Sequence, residues 1–219
     1  MSRLPKLLIL SLLALALSPL ALAADGDTSR VNGSVNIVAG APLGDASTVN
    51  GSIHIAAGAA VREASTVNGS IELGAKSRAQ SLTTVNGSVS LAAGSHVSGE
   101  VTAVNGKLLL DAGAEVMGKL SNVNGTIVLD AAHVAGGINT VSGDITVGAN
   151  SRVEGGIVVQ KPSGWFNFKR SVPTIIIGPH AVVTGTLQFR REVALKVSDS
   201  AQIGAVQGAT VVKFSGATP

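Results

Sequence analysis

The chain has 219 residues, with 16 Lys and Arg against 13 Asp and Glu, and no cysteine. Without cysteine there are no disulfides, thiolate metal sites or cysteine nucleophiles. Aromatic residues make up only 2% while glycine occurs 27 times, so a thin, repetitive core is expected rather than an ordinary globular one.

The first 23 residues have the layout of a secretory signal peptide. Arg3 and Lys6 form a basic start, Leu7 to Leu17 is an apolar run broken only by Ser11, and Pro19 precedes the small-x-small step Ala21-Leu22-Ala23. The run is short for a transmembrane helix, which needs about 20 apolar residues. Cleavage is expected before Ala24, leaving 14 basic against 13 acidic residues, a net charge of +1. No transmembrane segment is expected after cleavage. So neutral a chain gives no electrostatic reason to bind nucleic acid. The expected location is the periplasm or the surface of a bacterial cell.

From residue 31 to about 160 the sequence repeats. A Val-Asn-Gly step, once Val-Ser-Gly, starts at Val31, Val49, Val67, Val85, Val104, Val123 and Val141, at intervals of 18 or 19 residues. Six residues past each marker valine stands an aliphatic: Ile37, Ile55, Leu73, Leu91, Leu110, Leu129 and Val147. Twelve past it, a third often appears, as at Leu43, Val61, Val97, Val116 and Val153, with Ala79 and Ala135 as weaker members. Three short strands per repeat, with apolar residues at alternate positions, predict a triangular parallel β-helix of about nine coils. In such a stack Asn32, Asn50, Asn68, Asn86, Asn105 and Asn124 form an amide ladder at a corner, where Asn and Gly supply the bend by adopting left-handed backbone. Two coils are one residue longer, with insertions expected near Ala103 and Asn122. Five of the ladder asparagines begin N-x-[ST] sequons, which coincide with the corner and are taken as structural.

The regular marker stops after Val141. Residues 24–160 form the regular solenoid, and 161–173 are expected to leave it as a loop or hairpin holding the sole tryptophan. Lys161, Trp165, Phe166, Phe168, Lys169 and Arg170 combine aromatics with positive charge there, and are the candidate binding residues. Residues 174–205 resume the solenoid pattern, and 206–219 are expected as a cap or tail.

Thr-Val-Asn-Gly-Ser-Ile in the early repeats, with Thr140-Val141-Ser142-Gly143-Asp144-Ile145, resembles the bacterial putative-adhesin β-solenoids, which repeat T-V-[NS]-G-[DS]-[IV]. The stretch Ile175 to Leu187, and the x-V-x-G-x-[IV] steps at Val97 and Val153, are similar to bactofilins. The likeness spans roughly residues 31 to 205. It implies a right-handed triangular β-helix that assembles or contacts surfaces, with no catalytic residues to carry over. The signal peptide departs from bactofilins, which are typically cytoplasmic.

Chemistry is sparsely represented. His54, His96, His133 and His180 lie in separate coils with no acid beside them along the chain, and of the carboxylates only Asp111 and Asp130 are expected to stack. A hexapeptide-repeat acyltransferase, also built on 18-residue coils, would carry small residues where Val35, Ile53, Ile71 and Leu108 stand, and remains the remote alternative. The Thr-x-Asn columns (Thr48, Thr66, Thr84) have the spacing of ice-binding threonine arrays, but only four of seven repeats keep the threonine. No enzyme activity, metal or cofactor is expected. The expected function is a structural, self-assembling envelope solenoid whose partner is another copy or an envelope component. A monomeric adhesin-like binding module is the alternative.

Overall fold

The computed structural model describes residues 26–162 and 172–219. The expected signal peptide therefore lies outside the described residues, as do Trp165, Phe166, Phe168, Lys169 and Arg170. Among the described residues the chain is all β, and no helix is long and apolar enough to cross a membrane.

Every strand pairing is parallel and joins one winding to the next, as a β-solenoid requires. Each coil runs through a marker face, a second face and a third face. Coil four shows the plan: the marker strand ends at Asn86, Val89–Leu91 makes the second face, and His96–Val97 makes the third. The second faces form one sheet of ten strands. Marker and third faces form a sheet of 16, because Ala60–Asn68 and Arg78–Asn86 each run unbroken from the third face of one coil into the marker face of the next. There are ten windings where the sequence suggested about nine. The difference lies in the expected cap or tail, where Val206–Gln207 pairs with Leu187–Phe189 and Val211–Phe214 with Ala194–Ser198.

The core is a column of aliphatics stacked like on like. Ile53, Ile71, Val89, Leu108, Ile127 and Ile145 follow one another on the second face, each essentially inaccessible to solvent. Burying one such side chain contributes roughly 1.5–3 kcal/mol, so repeated small increments replace the large aromatics that a globular core would use. Phe189 is the one aromatic in the buried core of the described residues.

The marker valine does not belong to this core, although the regular spacing of aliphatics suggested that it would. Side chains alternate along a strand, and the buried positions of the marker strand are Ala46 and Thr48, then Ala64 and Thr66, then Leu82 and Thr84. The valines face outward and are half-buried, with Val31 of the terminal coil 67% exposed. The inward threonines are satisfied by the corner beneath them. Thr48, Thr66 and Thr84 Oγ1 donate to the carbonyls of Gly33, Gly51 and Gly69 at 2.9–3.0 Å. Asn122 Nδ2 does the same to Gly106 at 2.9 Å.

The corners also differ from expectation. No ladder asparagine has a positive φ. The glycine that follows is required chiefly by space: a Cβ on Gly69 would lie 1.9 Å from the Gly51 carbonyl oxygen, and one on Gly87 1.9 Å from that of Gly69. Left-handed backbone is concentrated at the second corner instead. Gly40, Gly58, Gly94 and Gly113 occupy it there, and Lys76, Ala131, Asn150 and His180 take the same strained geometry with φ of 45–58°. The extra residue of the longer coils lies in neither predicted place. Ala103 pairs in register with Thr84, while three residues (98–100) join Val97 to Val101 where two (80–81) join the paired Ala79 and Leu82. The third corner therefore lengthens, and Gly99 and Gly118 enter it as a second close-packed glycine column.

Candidate binding surfaces

The amide ladder runs up the marker corner from Asn32 to Asn124. Each Nδ2 donates to the Oδ1 of the asparagine in the preceding coil at 3.0–3.1 Å. Its amides are consumed by one another, which makes the column a register device. The threonines of the Thr-x-Asn columns point into the core, with Thr84 at 0% exposure, so they cannot form an ice-binding array.

Charged side chains gather where stacking brings successive coils together. His54 Nδ1 lies 2.8 Å from Glu72 Oε2 on the second face. On the third face His96 Nδ1 lies 3.1 Å from Glu115 Oε2, and His133 Nε2 lies 3.3 Å from Glu154 Oε1. Three of the four histidines thus have acid partners that are invisible along the chain. For the first two pairs the partner stands one coil, 18 or 19 residues, ahead. All three pairs are on the outer surface, and His180 occupies a corner with φ of 56°. Arg152 Nε also donates to Glu154 at 2.9 Å. That hydrogen bond, with His133 adding to it, holds Glu154 below the usual carboxylate range.

A further acidic pair stacks besides Asp111 and Asp130. Arg62 donates to Asp45 at 3.0 Å and to Asp27 at 2.9 Å, spanning the first coils. The hydrogen bond and charge of Asp45, with Asp27 and Glu63 adding, raise Arg62 above its ordinary value. Because these groups are exposed, the clamp contributes little net stability.

The third face holds a column that the linear sequence does not announce: Arg78, His96, Glu115, His133 and Arg152 succeed one another in register. At its lower end Lys76, Ser77, Arg78, Gly94, His96 and Glu115 line an open cleft of about 370 Å³. The signal for it was the substitution of lysine for glycine in the second-corner column, which only the coil alignment exposes.

Of the predicted binding residues, Lys161 is described and is exposed. The insertion that follows it replaces the marker corner of coil eight. Thr140 pairs with Val159 and Ile145 with Ile175, so 15 residues (160–174) stand where coil seven has four (141–144). Among the described residues no group of three or more His, Asp or Glu is placed to hold a metal ion. No family model matches the sequence, and no curated protein or solved structure matches it. The likeness to putative-adhesin and bactofilin solenoids rests on the short motifs, and what is established is the fold: a parallel β-solenoid of about ten turns.

Proposed function

We propose that this chain is a non-enzymatic structural solenoid, exported to a bacterial cell envelope, which associates end to end with copies of itself. The observation that carries the reading is the state of the two ends. Among the described residues, Thr28–Asn32 pairs only with Ala46–Asn50, and Val35–Ile37 only with Ile53–Ile55. At the far end, Val211–Phe214 pairs only with Ala194–Ser198. Strands paired on one side offer a row of backbone donors and acceptors to another chain. Val31 and Val38 at one end and Val212 at the other are 58–67% exposed, so apolar surface accompanies the open edges. Joining unlike ends is a heterologous contact, and such contacts propagate into filaments unless the rotation closes a ring.

The outer surface supports a non-catalytic reading. The histidine–glutamate pairs are dispersed over separate coils and two faces, and none is joined to a hydroxyl nucleophile by a hydrogen bond among the described residues. Electron microscopy and light scattering of the protein beginning at Ala24 test the proposal. Filaments that shorten when Val31→Lys and Val212→Lys are introduced support it, and a monomer at all concentrations overturns it.

A second reading, a monomeric binding module, is favoured by one feature. The insertion at 160–174 leaves the side of the rod at the marker corner, beyond the end of the amide ladder. A monomer that loses surface attachment on replacement of Trp165 and Phe166 by serine, with folding intact, supports that reading instead.

A further inference from the structure

The third-face cleft between coils three and five has a composition that neither end-to-end assembly nor packing requires. Lys76 and Arg78 line it from one coil, and His96 and Glu115 from the next two. Glu115 is engaged by His96 at 3.1 Å. Lys76 and Arg78 have no ion-pair partner among the described residues, so the cleft holds two uncompensated cations. Gly94 keeps its floor open: the Lys76 stem crosses above it, with Cγ 3.7 Å from where a Cβ on Gly94 would stand.

The second observation is backbone strain. Lys76 has φ of 56° at the corner that coils one, two, four and five fill with glycine. A left-handed conformation costs a non-glycine residue roughly 1–2 kcal/mol. Such strain at a charged residue that makes no stabilising contact is what a retained binding group produces. We propose that Lys76 and Arg78 form a binding site for an oxyanion, phosphoryl or carboxylate, borne by a solute or an envelope polymer. Lys76 supplies a mobile point charge, and Arg78 supplies a planar fork suited to two oxygens of one group. His96 stands between the cation pair and Glu115, and holds that carboxylate by a hydrogen bond.

The test uses the protein beginning at Ala24, with calorimetric titration at low ionic strength against inorganic phosphate and, separately, against tetragalacturonate. Lys76→Gly and Arg78→Gln are each expected to weaken binding about tenfold or more, the loss of one hydrogen bond to a charged group. Arg152→Gln, two coils beyond the cleft, is expected to bind as the parent does. Lys76→Gly is also expected to unfold at the same temperature as the parent or higher, because glycine relieves the corner. Binding of phosphate assigns a phosphoryl ligand, and binding of tetragalacturonate alone a carboxylate. Binding of neither overturns the proposal, as do Lys76→Gly and Arg78→Gln variants that bind normally, or an equal loss in Arg152→Gln. Arg78→Gln keeps the glycine-free corner intact, so the result stands even if the glycine variant folds poorly. Filament formation is measured separately, and its failure would leave this site untouched.

Discussion

Coils two to six and coils seven to ten stack at the same register but hold it by different means. In the lower group an asparagine ladder follows the marker corner, and Thr48, Thr66, Thr84 and Asn122 bond the corner glycine of the coil beneath. In the upper group Ser142 replaces the asparagine. The buried column passes from Thr140 to Val159 and Phe189, and the insertion takes the place of the corner in coil eight. Arg191 reaches back to that broken corner, donating to the Val141 carbonyl at 3.1 Å and to Ser142 Oγ at 3.3 Å. Backbone pairing therefore suffices to position a coil. The polar ladder is an added constraint, which can lapse where larger apolar side chains fill the interior.

This contrast can be broken first at what the two groups share. Leu91→Ala in the lower group and Ile157→Ala in the upper are both expected to cost about 2–5 kcal/mol, measured by denaturant unfolding, because both side chains are wholly buried. A much smaller loss at Ile157 would mean that the upper coils are loosely packed.

Gly69→Ala is next, at about 3 kcal/mol, since its new Cβ would meet the Gly51 carbonyl at 1.9 Å and both partners are backbone. Gly58→Ala has open space and only left-handed φ against it, so its expected loss is about 1–2 kcal/mol. Comparing the two separates crowding from conformational strain.

Thr66→Val sharpens the difference between the halves. It removes the donor to the Gly51 carbonyl and is expected to cost about 1–2 kcal/mol, with faster hydrogen exchange confined to neighbouring coils. Equal exchange throughout would show that the threonine column does not set local stability.

Ala131→Gly should stabilise by up to about 1 kcal/mol in thermal unfolding, because the residue sits at φ of 45°. The smallest effect expected is with pH. Glu154 has its folded pKa depressed, chiefly by Arg152, so its contribution is present above its unfolded pKa and is lost as pH falls through the folded one. A Glu154→Gln variant should flatten that part of the acid stability profile without shifting the neutral-pH midpoint appreciably.

Much of the fold was legible in the sequence, and the reasons are specific. The interval between markers gave the coil length, and Ile53 with Ile55 or Ile71 with Leu73 gave strands with one buried side. The amide ladder followed from the same interval. The candidate site was far less legible. Lys76, Arg78, His96 and Glu115 come together because residues about one coil apart in sequence are neighbours across a strand pairing, so partners are missed by any search among adjacent residues. The same offset hid Glu72 from His54 and Asp27 from Arg62.

By itself the sequence determined the repeat length, the parallel stacking and the alternation of side chains along each strand. Only the tertiary structure decided which alternate set faces inward on the marker strand. Period-two alternation defines two sets but does not say which is buried, and here the threonine finds a hydrogen-bond acceptor inside while the valine covers the outside. It decided as well why the marker glycine is needed. A sequence shows that glycine is present, whereas the 1.9 Å approach of the backbone of the coil below exists only once the coils are stacked.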